Sequence, residues 1–164
     1  MPADKPSAGS AHSTPYDRLK ALGLALPPLP SAVANFVPAV RAGSLLFLSG
    51  QGPVHDTCFL SGKVGGDVPI TAAYSHARLV GLNLLAAIED AVGLDKVCRV
   101  VKLFGMVNAA PDFIAHPLVI NGCSDLLVEV FGLEIGRHAR SAVGMGSLPG
   151  QITVEIDLIV AVRD

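Results

Sequence analysis

The stretch that decides the fold is HARSAVGMGSLPGQITVEIDLIVAV, residues 138–162. Side chains alternate between the two faces of a β-strand. Over residues 152–162 this alternation places Glu155 and Asp157 on one face, and the opposite face is an unbroken apolar row of Ile152, Val154, Ile156, Leu158, Val160 and Val162. A strand with one apolar face packs that face against a covering layer. We therefore predict that the apolar row faces helices and that the two acids lie on the non-helical side of a sheet.

A second predicted strand, residues 140–146, precedes this one and is joined to it by the turn SLPGQ. The short connection predicts an antiparallel hairpin. Regular pairing across the turn would place Arg140 on the apolar face, beneath the helices. A one-residue bulge at Gly144 or Gly146 reverses the face, and we adopt that arrangement. Arg140 is then predicted to lie beside Glu155, on the non-helical side.

An arginine and a carboxylate on that face have two interpretations. In the functional interpretation, the guanidinium of Arg140 donates two parallel hydrogen bonds to a ligand carboxylate, while Glu155 holds or activates a water. A carboxylate close to an arginine is expected to be ionised and therefore a weak base. In the structural one, Arg140 forms a plain interface salt bridge with Glu155 or Asp157. Spacing alone leaves both interpretations open.

The remaining elements complete a mixed α+β fold of order ββ-α-β-α-ββ. Apolar runs predict a hairpin of residues 36–41 and 45–49, with Pro38 at a sheet edge, and a central strand over 96–108 that is covered on both faces. Helical spacing predicts one helix over 72–92, ended by Gly93, and a second over 117–131, ended by Gly132. Two helices can cover one face of a single sheet. The other face needs a cover, and packing against identical subunits is the economical solution.

Composition supports one domain that associates with copies of itself. The chain has 164 residues, of which 51% are hydrophobic and only 16% are charged. Residues 1–16 are rich in Pro, Ser, Ala and Gly and predict a disordered leader, so a single domain is expected over residues 17–164. The sparse charge and high apolar content indicate an oligomer that buries apolar surface between subunits.

Several classes of function are excluded or disfavoured by composition. The formal net charge of −2 argues against nucleic-acid binding driven by bulk electrostatics. No apolar stretch is long enough to span a membrane and no signal peptide is evident, so we expect a cytoplasmic protein without a membrane partner.

The cysteines, Cys58, Cys98 and Cys123, are predicted to be free thiols, the latter two in the core. The histidines lack metal-ligand spacing, and no metal is expected.

Four short segments carry a family resemblance. They are FLSGQGPV at residues 47–54, HARSAV at 138–143, LP at 148–149 and VEID at 154–157. Their order and their separation of about 90 residues resemble the Rid family, the reactive intermediate deaminases formerly called YjgF. The resemblance covers about residues 30 to 163, almost the whole chain apart from the predicted leader.

The resemblance implies a fold, an assembly and a reaction. Members of the family have a chorismate-mutase-like (YjgF/Rid-like) α+β fold and form homotrimers with ligand clefts at the subunit interfaces. Their best-described activity is the hydrolysis of short-lived 2-imino or enamino acids to 2-oxo acids and ammonia, without a cofactor. The implied partner is thus a small-molecule carboxylate substrate.

The resemblance also implies roles for individual residues. The family's carboxylate-binding arginine falls on Arg140, and its water-positioning glutamate falls on Glu155. The serine of its SGQ motif is Ser49. Its cleft asparagine, on the second helix, falls on Asn121.

Two positions depart from the family pattern and leave a second function open. The frequent cleft cysteine, two residues after the arginine, is Ala142 here, and the cleft tyrosine before the first hairpin is Phe36. These changes alter the pocket wall while the arginine and glutamate are kept. The alternative is therefore a non-catalytic trimeric protein that binds or senses small carboxylates. RNA cleavage, a label given to some relatives, is disfavoured by the acidic balance and scarce aromatics.

One further residue near the motif has two interpretations. His138 lies two residues before Arg140 and could contribute a proton. Its neighbour Arg137 favours the simpler interpretation, in which both residues belong to a solvated loop.

Overall fold

A five-stranded mixed sheet forms the centre of the molecule. The computed structural model describes residues 13–29, 35–55 and 57–164. Along the sheet the strands follow the order β1-β2-β7-β5-β6, and a separate two-stranded ribbon pairs β3 with β4. The elements are α1 (Pro15–Ala21), β1 (Ala39–Ala42), β2 (Leu45–Gln51), β3 (Val54–His55), β4 (Cys58–Phe59), α2 (Ile70–Ala91), β5 (Val97–Asn108), α3 (His116–Gly136), β6 (Ala139–Met145) and β7 (Val154–Val162).

The two long helices cover one face of this sheet, as the sequence predicts. On β7 the residues at alternate positions from Val154 to Val162 are buried, and those between them are half-buried. The buried row belongs to one core that also contains the inner faces of α2 and α3. Residue Gly93 follows α2 with φ 92°, and Gly132 interrupts α3 with φ 79° and ψ 167°. The predicted stop at Gly93 is confirmed, whereas Gly132 breaks α3 without ending it, because the helix resumes and ends at Gly136.

The predicted final hairpin is wrong. Strand β6 pairs in parallel with β5, and β5 in turn pairs antiparallel with β7, so β5 separates the two strands. A parallel pair requires a long crossover connection, and α3 provides it between β5 and β6. The connection after β6, residues 146–153, therefore carries the chain past β5 and not back along β6.

The interior position predicted for β5 is confirmed, but its second face is not covered by any described element. Residues on that face, including Lys102, Phe104 and Met106, are half-buried. The same face exposes 53% of Val40 and 41% of Phe47, on β1 and β2.

Cys98 is exposed, so its predicted core position is wrong, whereas the predicted burial of Cys123 is confirmed. All three thiols are free.

A short helix begins within the predicted leader. Most of that leader, residues 1–12, lies outside the described residues. At its end the Thr14 side chain accepts a hydrogen bond from the Asp17 amide, and the Asp17 carboxylate accepts one from Thr14. This reciprocal capping box starts α1. The Tyr16 hydroxyl then ties α1 to α2 by donating to Glu89 Oε2 over 2.9 Å.

Candidate functional site

Arg140 lies on the helix-facing side of the edge strand β6. Its register partner on β5 is Leu103, whose own partner on β7 is Leu158. Paired residues point to the same face of a sheet, and both leucines are fully buried beneath the helices. The predicted bulge that would turn Arg140 to the other face is therefore wrong. Because β6 is an edge strand, the guanidinium is half-buried instead of enclosed by the core.

Helix α3 holds one end of the Arg140 guanidinium. Nitrogen Nη1 donates to Asn121 Oδ1 over 2.7 Å and to Ser124 Oγ over 3.1 Å. Asn121 and Ser124 are three residues apart and so lie on the same side of the helix. The structure thus brings Arg140 together with the predicted site residue Asn121, and it adds Ser124, which sequence reasoning missed.

A histidine, His138, contacts the Ser124 hydroxyl that Arg140 also contacts. His138 Nε2 lies 3.0 Å from Ser124 Oγ, and His138 Nδ1 lies 2.7 Å from the carbonyl oxygen of Gly136. Burial is the main cause that lowers the pKa of His138, and the nearby charge of Arg140 lowers it further against the opposing effect of the Gly136 carbonyl. The interpretation of His138 as part of a solvated loop is wrong, because its ring is half-buried and bonded through both nitrogens.

The remaining edge of the Arg140 guanidinium has no protein partner among the described residues. Its two hydrogen bonds both leave from Nη1, and neither ion pair between described residues involves it. A half-buried cation without a counter-ion is costly and favours an anionic ligand. Nitrogens Nε and Nη2 together form the fork that matches a carboxylate.

Ala142 follows Arg140 on the same face of β6, opposite Gly105 of β5. Its methyl group offers no proton donor or acceptor beside the guanidinium. On α3, Cys123 lies between the two residues that hold Arg140, but its thiol is fully buried and burial raises its pKa to about 12. The nearby thiol is therefore unsuited to a role as nucleophile or acid at this site.

Glu155 lies on the opposite, non-helical face of the sheet. It pairs with Met106 of β5, and its carboxyl group packs against Gly50 of β2 so closely that a Cβ there would overlap Oε1. Burial is the main cause that raises the pKa of Glu155, and the charge of Asp157 raises it further. The predicted contact of this carboxylate with an arginine is wrong within one chain, and the raised pKa makes Glu155 a stronger base than that prediction implied.

Ser49 lies next to the part of β2 that packs against Glu155. Ser49 directly precedes Gly50, and its hydroxyl donates to the carbonyl oxygen of Val37 over 2.7 Å. This bond fixes the segment that enters β1, and Phe36, with 45% of its surface exposed, lies at the start of that segment. Ser49 thus has a positioning role for the chain next to Glu155.

The predicted site residues therefore fall into two groups. The arginine group consists of Arg140 with Asn121, Ser124, His138 and Ala142, at the edge strand and α3. The glutamate group consists of Glu155, on the non-helical face, and Ser49, next to Gly50; Phe36 precedes Val37, the residue that Ser49 bonds. The predicted contact of Arg140 with Glu155 is wrong for a single chain, because the two side chains point to opposite faces.

Two negative findings apply to the described part of the chain. Its His, Cys, Asp and Glu residues form no group of three or more that could hold a metal ion. None of its helices is both long enough and apolar enough to cross a membrane.

Comparison with known proteins identifies the family. The family model described as "YjgF/chorismate_mutase-like, putative endoribonuclease" matches residues 16–158. This chain belongs to the YjgF/Rid family. The mixed sheet with helices packed on one face agrees with the family fold.

Three relatives show how the chain compares within the YjgF/Rid family. A protein of unknown function from Agrobacterium tumefaciens, Atu1372, is 44% identical, with a TM-score of 0.82 and coverage of 91% of this chain and 92% of that one. The 2-iminobutanoate/2-iminopropanoate deaminase of Escherichia coli is 32% identical over 82% of this chain and 92% of its own length. The structure of Escherichia coli TdcF with bound serine is 29% identical, with a TM-score of 0.58 and coverage of 83% and 94%.

Proposed function

We propose that this protein is a cytoplasmic, cofactor-independent hydrolase of reactive 2-imino or enamino acids. Water adds to the C=N carbon of the imino acid, the C–N bond breaks, and the products are a 2-oxo acid and ammonia. The observation that carries the proposal is the half-buried Arg140, which is held at one end and, among the described residues, has no partner at the other. The 2-iminobutanoate deaminase among the relatives supports the choice of substrate class, and the serine bound to TdcF supports a small amino-acid-like ligand.

Arg140 is the proposed anchor for the substrate carboxylate. Asn121 and Ser124 fix Nη1, so the edge formed by Nε and Nη2 is left to fork onto two carboxylate oxygens. This contact orients the adjacent C=N carbon. An imino carbon is already electrophilic, and hydrolysis therefore requires orientation and proton transfer more than a strong nucleophile.

Glu155 is the proposed proton carrier. Its raised pKa makes it a stronger base than an ordinary carboxylate, which suits a group that takes a proton from water and returns it to the leaving amine. Ser49 acts on the same side by fixing the chain that carries Phe36.

The proposed active sites lie between subunits of a homotrimer. Arg140 and Glu155 point to opposite faces of one sheet, so one copy cannot bring them to one substrate. The non-helical face that carries Glu155 exposes Val40 and Phe47 around half-buried apolar residues. Exposed apolar surface of this kind is typical of an interface. A neighbouring copy that covers this face can bring its own edge strand β6, and with it Arg140, towards Glu155.

Carboxylate binding without turnover is the second candidate function. It is favoured by Ala142 and Phe36, which supply no acidic or basic group to a ligand held by Arg140. In this case a carboxylate would bind at the guanidinium and would dissociate unchanged.

The two candidates differ in an assay of imine lifetime. An L-amino acid oxidase generates 2-iminobutanoate from 2-aminobutanoate, and semicarbazide traps the imine that survives. The wild-type protein is expected to suppress trapping, and Arg140→Ala is expected to lower this activity about 100-fold, because the substrate loses its orientation. Arg41→Ala, at an exposed position of the edge strand β1, is the matched control and should keep full activity.

The proposal of a deaminase fails if wild-type protein leaves the trapping of every imino acid unchanged. Calorimetric titration with 2-oxobutanoate then decides the remaining question. Binding by wild type but not by Arg140→Ala would support the carboxylate-binding function.

A further inference from the structure

We infer that His138 and Ser124 form a hydrogen-bond relay that positions Arg140 for the carboxylate. This inference rests on the proposed function, since it assigns a role to residues behind the proposed anchor. His138 and Ser124 are positioning residues in this arrangement, because neither needs to touch the substrate.

The relay begins with a backbone carbonyl that fixes the tautomer of His138. The carbonyl oxygen of Gly136 can only accept, so His138 Nδ1, at 2.7 Å, must carry the proton. In the neutral ring Nε2 is then an acceptor. The lowered pKa of His138 favours this neutral form. Nε2 therefore receives the hydroxyl proton of Ser124 across 3.0 Å.

The direction of that bond determines what Ser124 can offer to Arg140. A serine hydroxyl has one proton and two acceptor lone pairs. Because its proton is given to His138, Ser124 Oγ presents lone pairs to Arg140 Nη1 at 3.1 Å. Asn121 Oδ1 accepts the second Nη1 proton at 2.7 Å. Both protons of Nη1 are thus used, and the plane of the guanidinium is fixed.

Local backbone geometry places His138 close enough to complete the relay. Gly136 is buried, and a Cβ there would lie 2.6 Å from the carbonyl oxygen of Leu127 and 2.7 Å from the Cα of Val128. Only glycine allows the end of α3, after the break at Gly132, to lie against residues 127–128 of the same helix in this way. The Gly136 carbonyl then meets the His138 ring two residues later.

A fixed guanidinium binds its ligand with a smaller entropic cost. An arginine side chain that is free to move loses several rotamers when it binds a carboxylate, whereas a side chain held in advance does not. Loss of the relay is therefore expected to weaken ligand binding and raise KM, with a smaller effect on kcat.

The test compares five variants, Arg140→Ala among them, with wild type by titration calorimetry with 2-oxobutanoate and by KM and kcat in the imine assay. Ser124→Ala and His138→Leu are expected to raise Kd and KM roughly tenfold, because each removes a hydrogen bond in a charged network. His138→Gln, whose amide oxygen can accept the Ser124 proton, should stay within about threefold of wild type. Ser75→Ala, an exposed serine on α2, is the matched control.

Each outcome bears on one claim. The relay is wrong if Ser124→Ala binds 2-oxobutanoate as tightly as wild type while Arg140→Ala does not bind it. The acceptor role of His138 is wrong if His138→Gln is as weak as His138→Leu, because ring packing would then explain both. If Arg140→Ala also binds as wild type does, the proposed anchor itself fails. Ser124→Ala replaces a half-buried helical residue with a stronger helix former, so it tests the relay even if His138→Leu does not fold.

Discussion

Glu155 occupies a position in which its charged form is poorly solvated. Burial and the neighbouring Asp157 both raise its pKa. An acid whose pKa is higher in the folded than in the unfolded protein binds a proton more tightly when folded. Its contribution to stability is therefore most favourable below the unfolded pKa and is lost as pH rises through the folded pKa.

Glu155→Gln is accordingly predicted to raise the Tm at pH 7 and to lower deaminase activity by about 100-fold or more. The neutral amide removes the poorly solvated charge and also the proposed proton carrier. The gain in Tm should shrink as the pH falls below about 4, where the wild-type carboxyl is also neutral. Thermal melts at both pH values, with exposed Glu134→Gln as control, provide the check. An unchanged or lower Tm at pH 7 would contradict the assigned environment of Glu155.

At the residue scale, sequence alternation located the acids but not the environment of the arginine. The apolar row of β7 and the opposite position of Glu155 follow from the period of two along a strand. The neighbours of His138 do not follow from any local pattern. They depend on the buried Gly136 at the end of α3, which brings a backbone carbonyl to the ring. The only signal in the sequence is the spacing of a glycine, a histidine and an arginine at two-residue intervals.

At the element scale, the pairing of β6 shows why a short turn is a weak guide to topology. The predicted turn, residues 147–151, has the length of a hairpin connection, yet in the structure residues 146–153 connect the two strands and β5 lies between them. Strand β7 is buried at alternate positions along its length and suits the interior of the sheet. Strand β6 carries Arg140 and Gly144 on its helix-facing side, and such residues are tolerated best at an edge. Which strand takes an interior position and which takes the edge therefore depends on how much apolar surface the whole sheet buries.

The packing of α2 against α3 depends on a glycine at their closest approach. A Cβ on Gly122 would overlap the carbonyl oxygen of Tyr74 and lie 3.0 Å from the amide nitrogen of Arg78. Both are backbone atoms of α2, so the contact cannot be relieved by a side-chain rotation.

Gly122→Ala is therefore predicted to lower the free energy of unfolding by roughly 1–3 kcal/mol, the usual cost of overpacking. The better helix propensity of alanine offsets only part of this cost. Gly146→Ala is the control, because a Cβ there meets no atom of the described ranges within 4 Å. Urea unfolding of both variants measures the difference. Equal stability of the two would show that the helices can separate without cost.

At the scale of the whole molecule, the sequence indicated that one sheet face needs a cover that the chain does not supply. Low charge and the count of two long helices led to that expectation, and the half-buried apolar face around Phe47 agrees with it. The faces of Arg140 and Glu155 could not be predicted in the same way, because they depend on the position of β6 in the sheet. Their separation within one chain makes the proposed reaction dependent on assembly.

Subunit mixing tests whether the site is shared between copies. Arg140→Ala and Glu155→Gln chains carry different affinity tags, are co-expressed, and are purified over both tags, so that every purified trimer contains both variants. If Arg140 and Glu155 come from neighbouring subunits, one of the three clefts in each mixed trimer has both residues intact. The mixed protein should then show about one third of wild-type activity, although each parent is inactive. Light scattering establishes the trimer, and doubly tagged Arg140→Ala is the control. Mixed trimers as inactive as their parents would mean that the two residues do not meet across an interface.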